Sequence, residues 1–444
     1  MRRIALSAVA LAALTLPVAA PANALPGRHG HYATKTPYEP LQDARTYQRP
    51  PRGFVPVFTE TVSRHGTRAS SDSDDGDLIL ALWDKAASDG RLTPLGKDFG
   101  PDVRSLEAAM AKVGYGQLTA RGKQDMRNMA ARLERRLPEL FRRIARNGEK
   151  IDVVSSGKDR AVDSGTIFAT ALGDDDPAVR PFIGTARTDP DLLYFHKSAG
   201  GAAYRDYIAH DQRLATTLAA INDQPATHRA ARRILLRLFT PDFVAALDTA
   251  DQVAAAEAVY NLYAAAPALS EEGTWHMDRY IAPRDAKWFS YLSDAEDFYE
   301  KGPGFQDSDI TYAMARVLLD DFFAKLEAAR SGTGDLGAEL RFTHAEEIIP
   351  LAVLLGLPGS TQPVTEARPY TYADNAWRGA SVAPMAANIQ WDLFRKGDRY
   401  LVRMLYNEKE TAFRAGCRPV TKGSSFYDVD ELERCYGRTV TTTP

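Results

Sequence analysis

Two rhythms of apolar and polar positions alternate along the chain. A β-like apolar run from Phe54 to Val62 opens the regular part of the sequence. Beyond Thr119, which is placed to cap a helix, Met126, Met129, Leu133 and Leu137 recur every three or four residues with Arg and Lys between them, the spacing of one buried helical face. Pro138 must kink or restart that helix. Ile151-Asp152-Val153-Val154 reads as a short buried strand and Ser155-Ser156-Gly157 as a polar turn. Ile167, Phe168, Ala171 and Leu172 then mark a helix that Gly173 and Asp174 to Asp176 end. No glycine occurs from Ala202 to Glu272, and alanine-rich segments there carry Ile234, Leu235, Leu238 and Phe239 at helical spacing. Tyr312, Ala315, Leu319, Phe322 and Leu326 mark another helix, ending near Gly332 and followed by the strand-like Leu340 to Phe342.

Strands alternate with helices in the outer thirds, and a purely helical stretch separates them. The expected fold is α/β: a doubly wound mixed sheet flanked by helices, its core split over 53–190 and 300–444, with an inserted α-helical cap over 191–299. Residues 25–52, rich in Pro, Gly, His and Tyr without periodicity, are expected to form an extended leader strapped on the surface. The acidic stretch Ser71 to Asp77 reads as a solvated loop, and Gly114-Tyr115-Gly116 lacks the third glycine of a dinucleotide fingerprint.

With 444 residues, 44% hydrophobic and 25% charged, the chain can bury two substantial cores, and disorder is not expected. A formal net charge of −3 argues against a general nucleic-acid binder while leaving room for a local basic pocket and a small phosphorylated ligand. Arg2 and Arg3, the apolar run Ile4 to Ala20 and Ala22-Asn23-Ala24 have the order of a cleavable signal peptide over 1–24. Export is therefore expected, secreted or periplasmic, with no membrane span in the mature chain. In that oxidising setting the only two cysteines, Cys417 and Cys435, are expected to form a structural disulfide.

The chemistry concentrates in Ser63-Arg64-His65-Gly66-Thr67-Arg68, where one imidazole sits between two guanidinium groups straight after a strand. Arginine forks match a phosphoryl group bidentately, and a neutral histidine nitrogen can attack phosphorus without metal or cofactor. A second RHG, Arg28-His29-Gly30, follows no strand. Arg160 and His344 also fall between a strand and a helix, where open α/β sheets bind ligands. Arg64, Arg68 and Arg160 would clamp a phosphate with His344 as a further donor, His65 would be the nucleophile, and Glu346 or Glu347 would protonate the leaving oxygen. Lys158 and Lys197 are further candidates for substrate phosphates. His196, His210, His228 and His276 lack metal-ligand spacing, and His196 alone stands close to another candidate. HExxH, P-loop and GxSxG signatures are absent from the sequence, and neither metal nor cofactor is expected.

These residues resemble the histidine acid phosphatase superfamily, whose members carry RHGxRxP, a later arginine and a distal histidine followed by an acid. Ser156-Gly157-Lys158-Asp159-Arg160-Ala161-Val162-Asp163-Ser164, then His344-Ala345-Glu346 leading into Pro350-Leu351, and lastly Asn407-Glu408 are similar to its multiple inositol polyphosphate phosphatase branch. Ser70 stands where the family motif has proline. The resemblance implies a phosphohistidine intermediate on His65, a phosphate bound by Arg64, Arg68, Arg160 and His344, and Glu346 as proton donor. It also implies inositol phosphates as substrates. A broad-specificity acid phosphatase and a non-catalytic phospho-ligand binder are the alternatives.

Overall fold

The structure, a computed structural model, describes residues 30–438, so the expected signal segment 1–24 lies outside the described residues. One eight-stranded sheet organises the chain: β1 (Val55–Arg64), β2 (Lys150–Ser155), β3 (Arg187–Thr188), β4 (Leu336–Thr343), β5 (Asn388–Lys396), β6 (Arg399–Tyr406), β7 (Lys409–Glu410) and β8 (Phe426–Asp428). The order is β3-β2-β4-β1-β5-β6-β7, with β8 paired to β6. β3, β2, β4 and β1 run parallel, whereas β5, β6 and β7 continue antiparallel. The expected mixed sheet is present. β1 is buried along nine of its ten residues, as a central strand covered on both faces must be.

The first helices are α1 (Asp74–Ser88), α2 (Pro94–Val113), α3 (Ala120–Arg136), α4 (Pro138–Asn147) and α5 (Asp159–Asp175). The Thr119 hydroxyl accepts from Gly122 N at 3.2 Å and starts α3, and the chain restarts at Pro138, where that residue's missing N–H is harmless. Met126, Leu133, Phe141 and Phe168 pack with Val153 and Leu340 of the sheet. Eight helices follow: α6 (Pro190–Leu193), α7 (Ala202–His210), α8 (Gln212–Asn222), α9 (Pro225–Leu238), α10 (Pro241–Ala245), α11 (Thr249–Ala265), α12 (Pro283–Glu300) and α13 (Arg316–Ser331). The last long one is α14 (Ala345–Leu355). Phe322, Phe323 and Leu351 cover the opposite sheet face, against Val62 and Trp391.

Three features differ from the sequence reading. First, α1 and α2 pack with α9 and α11 in one core that includes Phe99, Leu106, Ile234 and Val259, so the helical layer draws on two chain segments rather than on 191–299 alone. Second, the acidic stretch is not a loop throughout: Asp74, Asp75 and Asp77 occupy the first turn of α1, where the positive end of the helix dipole favours carboxylates. Third, the leader runs along the surface as expected over 39–53 but is buried at points before that. Ala33, Thr36 and Tyr38 are buried, and Tyr38 Oη donates to Glu408 at 2.7 Å, where Arg132 also holds that carboxylate bidentately. Asn407 and Glu408 form the β6–β7 turn with positive φ, a left-handed geometry that tight hairpins need; the Asn407 carbonyl accepts from Leu41 N at 3.0 Å. This sequence pair is thus the clasp for the leader.

Cys417 and Cys435 are bonded, 18 residues apart. Closing a loop of that size contributes about 3 kcal/mol through the unfolded state, so the pair Cys417→Ser and Cys435→Ser is expected to lower unfolding free energy by about that amount in urea titrations.

Candidate active site

Strand register brings the separated motifs together. Arg64 pairs with Thr343 across β1 and β4, and Ser155 pairs with Phe342 across β2 and β4. The residues that follow, His65, His344 and Ser156, therefore leave three adjacent parallel strands at one level, about 4.8 Å apart. Arg160 lies in the first turn of α5 and His344 caps α14, so two positive helix ends point into the same crevice.

Glycine contacts hold the first motif down. A Cβ on Gly66 would come within 2.5 Å of the Gly122 carbonyl oxygen, and one on Gly122 within 1.9 Å of that of Thr67. The loop and the start of α3 approach too closely for any side chain. Gly66 N also donates to Ser164 Oγ at 3.1 Å.

His65 is buried, and its Nδ1 lies 2.9 Å from the Gly66 carbonyl. Because a carbonyl only accepts, Nδ1 carries the proton and Nε2 keeps its lone pair. Burial, followed by Arg64, His344, Arg68 and Arg160, drives the His65 pKa well below 6.5, so the ring is neutral. The His344 ring stands 5.4 Å away, edge-on. Its Nε2 is 2.8 Å from Ser156 Oγ, and burial, with Arg160 the next cause, pushes its pKa down to about 3. A neutral His344 accepting from the Ser156 hydroxyl presents Nδ1–H as a donor.

Arg64 Nη1 donates at 2.6 Å to the carbonyls of Thr34 and Ala383. The leader thus orients a site arginine. Four N–H groups, Arg64 Nε, Arg68 Nε, Arg160 Nε and His344 Nδ1, are buried without a hydrogen-bond partner among the described residues. Unpartnered buried donors are costly and rare in folded proteins. Here all four belong to residues that press electrostatically on His65.

The two adjacent glutamates separate cleanly. Glu347 is fully buried and engaged at both oxygens, by His196 Nδ1 at 2.6 Å and by Thr343 Oγ1 at 2.9 Å. Glu346 keeps a third of its side chain exposed, 3.9 Å from Lys301 Nζ. Burial favours its neutral form, but opposing contacts, Lys301 first among them, outweigh burial and hold the carboxyl well below its usual range. Lys158 is exposed, its ammonium 5.3 Å from the Tyr194 ring centre. Tyr194 in turn packs against both His196 and His344. Lys197 is exposed and its side chain makes no hydrogen bond or ion pair among the described residues. His196, one residue earlier, is the buried neighbour of the site. Ser156, Lys301 and Thr34 were not among the sequence candidates. Of these only Ser156 carried a local signal, as the residue just past β2.

Residues 58–407 match the family described as histidine phosphatase superfamily (branch 2). The multiple inositol polyphosphate phosphatase of Bifidobacterium longum, in crystals of its complex with inositol hexasulfate, is 32% identical, with a TM-score of 0.85 over 93% of this chain and 99% of that one. Its complex with phosphate superposes over the same shares with a TM-score of 0.87. Multiple inositol polyphosphate phosphatase 1 of Gallus gallus is 25% identical over 94% of each chain. By the family match and by full-length likeness to the bifidobacterial protein, the chain belongs to the histidine phosphatase superfamily (branch 2), in its multiple inositol polyphosphate phosphatase-like group.

Proposed function

We propose that the protein is an exported phosphomonoesterase that removes phosphates from inositol polyphosphates through a phosphohistidine on His65. The observation that carries this reading is the set of four unpartnered buried donors around a neutral imidazole. Arg64, Arg68, Arg160 and His344 would take the non-bridging oxygens of one phosphate, restoring the missing hydrogen bonds and stabilising the charge that spreads over those oxygens during transfer. His65 Nε2 gives its lone pair to phosphorus while the bond from phosphorus to the ester oxygen breaks. Glu346 passes a proton to that oxygen as it leaves as an alcohol. Water then attacks the phosphoryl group, Glu346 takes the water's proton, and the bond to Nε2 breaks to release inorganic phosphate.

Glu346 is ionised in the free protein, so the acid role requires that substrate charge offset Lys301 and the clamp, raising its proton affinity as the complex forms. Glu347 is unsuited to that role because both of its oxygens are engaged. The inositol polyphosphate assignment draws on the relatives, one of them crystallised with inositol hexasulfate. Export rests on the N-terminal segment and accords with the disulfide. No helix among the described residues is long and apolar enough to cross a membrane.

Phosphate release from inositol hexakisphosphate in the presence of a chelator tests the reading. Progressively lower inositol phosphates are expected by chromatography, whereas release from simple aryl esters alone would favour a broad-specificity phosphatase. Two further outcomes follow from the geometry. Since the His65 pKa lies well below 6.5, its nucleophilic form survives acidification, and kcat/KM for an aryl phosphate is expected not to fall as pH drops through 6.5; a fall centred there would contradict the assignment. Ser156→Ala frees the His344 ring to adopt the other tautomer and is expected to reduce kcat/KM about tenfold, the effect of one hydrogen bond.

A further inference from the structure

A cavity of about 1120 Å³ lies outside the catalytic crevice. It lies between the leader and the ends of α3 and α4, and Pro56, near the start of β1, lines it. Arg64 is eight residues further along that strand, about 26 Å by strand rise, so Pro56 marks the end of the cavity away from the crevice, and Arg132, bound to Glu408, the end nearer to it.

Its floor is arginine held by internal carboxylates. Arg132 binds Glu408 at 2.7 Å, Arg136 binds Asp392, and Arg403 bridges Asp392 at 3.0 Å and Glu410 at 3.4 Å. Its rim is different. Arg49, Arg52 and Arg135 are exposed, and their side chains make no hydrogen bond or ion pair among the described residues. Arg142 reaches only the Pro138 carbonyl, at 3.1 Å. Arg49, Pro51 and Phe54 also line a smaller groove of about 470 Å³ that adds Lys422 and Arg399, the latter 3.8 Å from Asp428. A chain of net charge −3 thus gathers Arg49, Arg52, Arg135 and Arg142 along one track, beside only two lining carboxylates, Glu139 and Asp43, the second of them bound to Arg45.

The chemistry of this track contrasts with that of the catalytic site. There, desolvated donors converge on one phosphate; here, no floor arginine carries an unpartnered buried nitrogen, and the free guanidinium groups are hydrated and spread out. Such an array gains little from a single anion and much from several anions on one backbone. Arginine forks match phosphate oxygens bidentately. We propose that this arginine groove is a second, non-catalytic site that binds a linear polyanion bearing repeated phosphate groups. Such binding would hold the enzyme on a phosphate-bearing polymer while leaving the crevice at the other end of β1 open.

The test uses the mature protein and labelled inorganic polyphosphate, with binding measured by fluorescence anisotropy at several salt concentrations. A variant carrying Arg49→Gln, Arg52→Gln, Arg135→Gln and Arg142→Gln is expected to bind at least about tenfold more weakly. It should also show a salt slope shallower by about 3, four contacts at ~0.7 each. Its hydrolysis of an aryl phosphate should be unchanged, which also shows that it folds. The proposal is overturned if the wild type does not bind polyphosphate at low salt or if the variant binds as tightly as the wild type. It is equally overturned if Arg160→Ala removes the binding, which would place the polymer in the catalytic crevice. A preference of tenfold or more for an oligonucleotide of equal charge would instead make the groove a surface that reads bases.

Discussion

Replacing His65 by alanine is expected to abolish phosphate release from every ester, by about 10⁴-fold or more, while leaving the folded protein intact. The size of the effect follows from the site's construction. The clamp residues are anchored by other parts of the chain: Arg64 by the carbonyls of Thr34 and Ala383, and His344 by Ser156. An alanine at position 65 leaves those anchors in place and removes only the atom that attacks phosphorus. The variant should therefore still bind inorganic phosphate, and equilibrium binding beside a turnover assay reads both properties. Residual turnover within tenfold of the wild type would mean that water attacks the bound phosphate directly, with His65 only a donor.

Glu346→Gln should separate substrates by leaving group. An inositol alkoxide needs a proton as it departs, whereas an aryl oxide leaves without much help. A loss of about 10²–10³-fold in kcat is expected for inositol hexakisphosphate, with a much smaller loss in the phosphorylation step for an aryl phosphate. The isosteric amide also removes the group that accepts the water's proton, so with an aryl phosphate the phosphoenzyme should accumulate. Glu347→Gln is the control. It disturbs the buried contact with His196 and should act on both substrates alike, because Glu347 has no oxygen free to meet a leaving group. Equal losses on both substrates for Glu346→Gln would remove it from the acid role.

The sequence revealed what short-range chemistry determines. An imidazole between two arginines at the end of an apolar run, and a histidine and acid pair after a second such run, could be read because a strand end followed by a helix start is written in neighbouring residues. The Thr119 cap and the restart at Pro138 were visible for the same reason. Long-range placement was not visible. Nothing near Thr34 signals that its carbonyl will meet Arg64, and a Pro-rich leader without periodicity does not show that Ala33, Thr36 and Tyr38 will be buried. His196 and Lys197 differ by one position, yet the turn after α6 buries the first against Glu347 and exposes the second. Residue types alone left Glu346 and Glu347 open and only the family resemblance chose Glu346; the physical difference between the two depends on His196 and Lys301, which lie far away in sequence. Asp74, Asp75 and Asp77 read as a loop because three nearby carboxylates look solvated; their place in the first turn of α1 turns the same charge into a helix-start signal.

The most direct test is to mix the Glu346→Gln protein with a ³²P-labelled aryl phosphate, whose transfer to His65 needs little help from the acid, quench in alkaline denaturant within the first turnover, and map the label. The account predicts acid-labile, alkali-stable label on the peptide containing His65, present at up to one equivalent and absent from a His65→Ala control. Turnover without any labelled protein, or label on another residue, would contradict it.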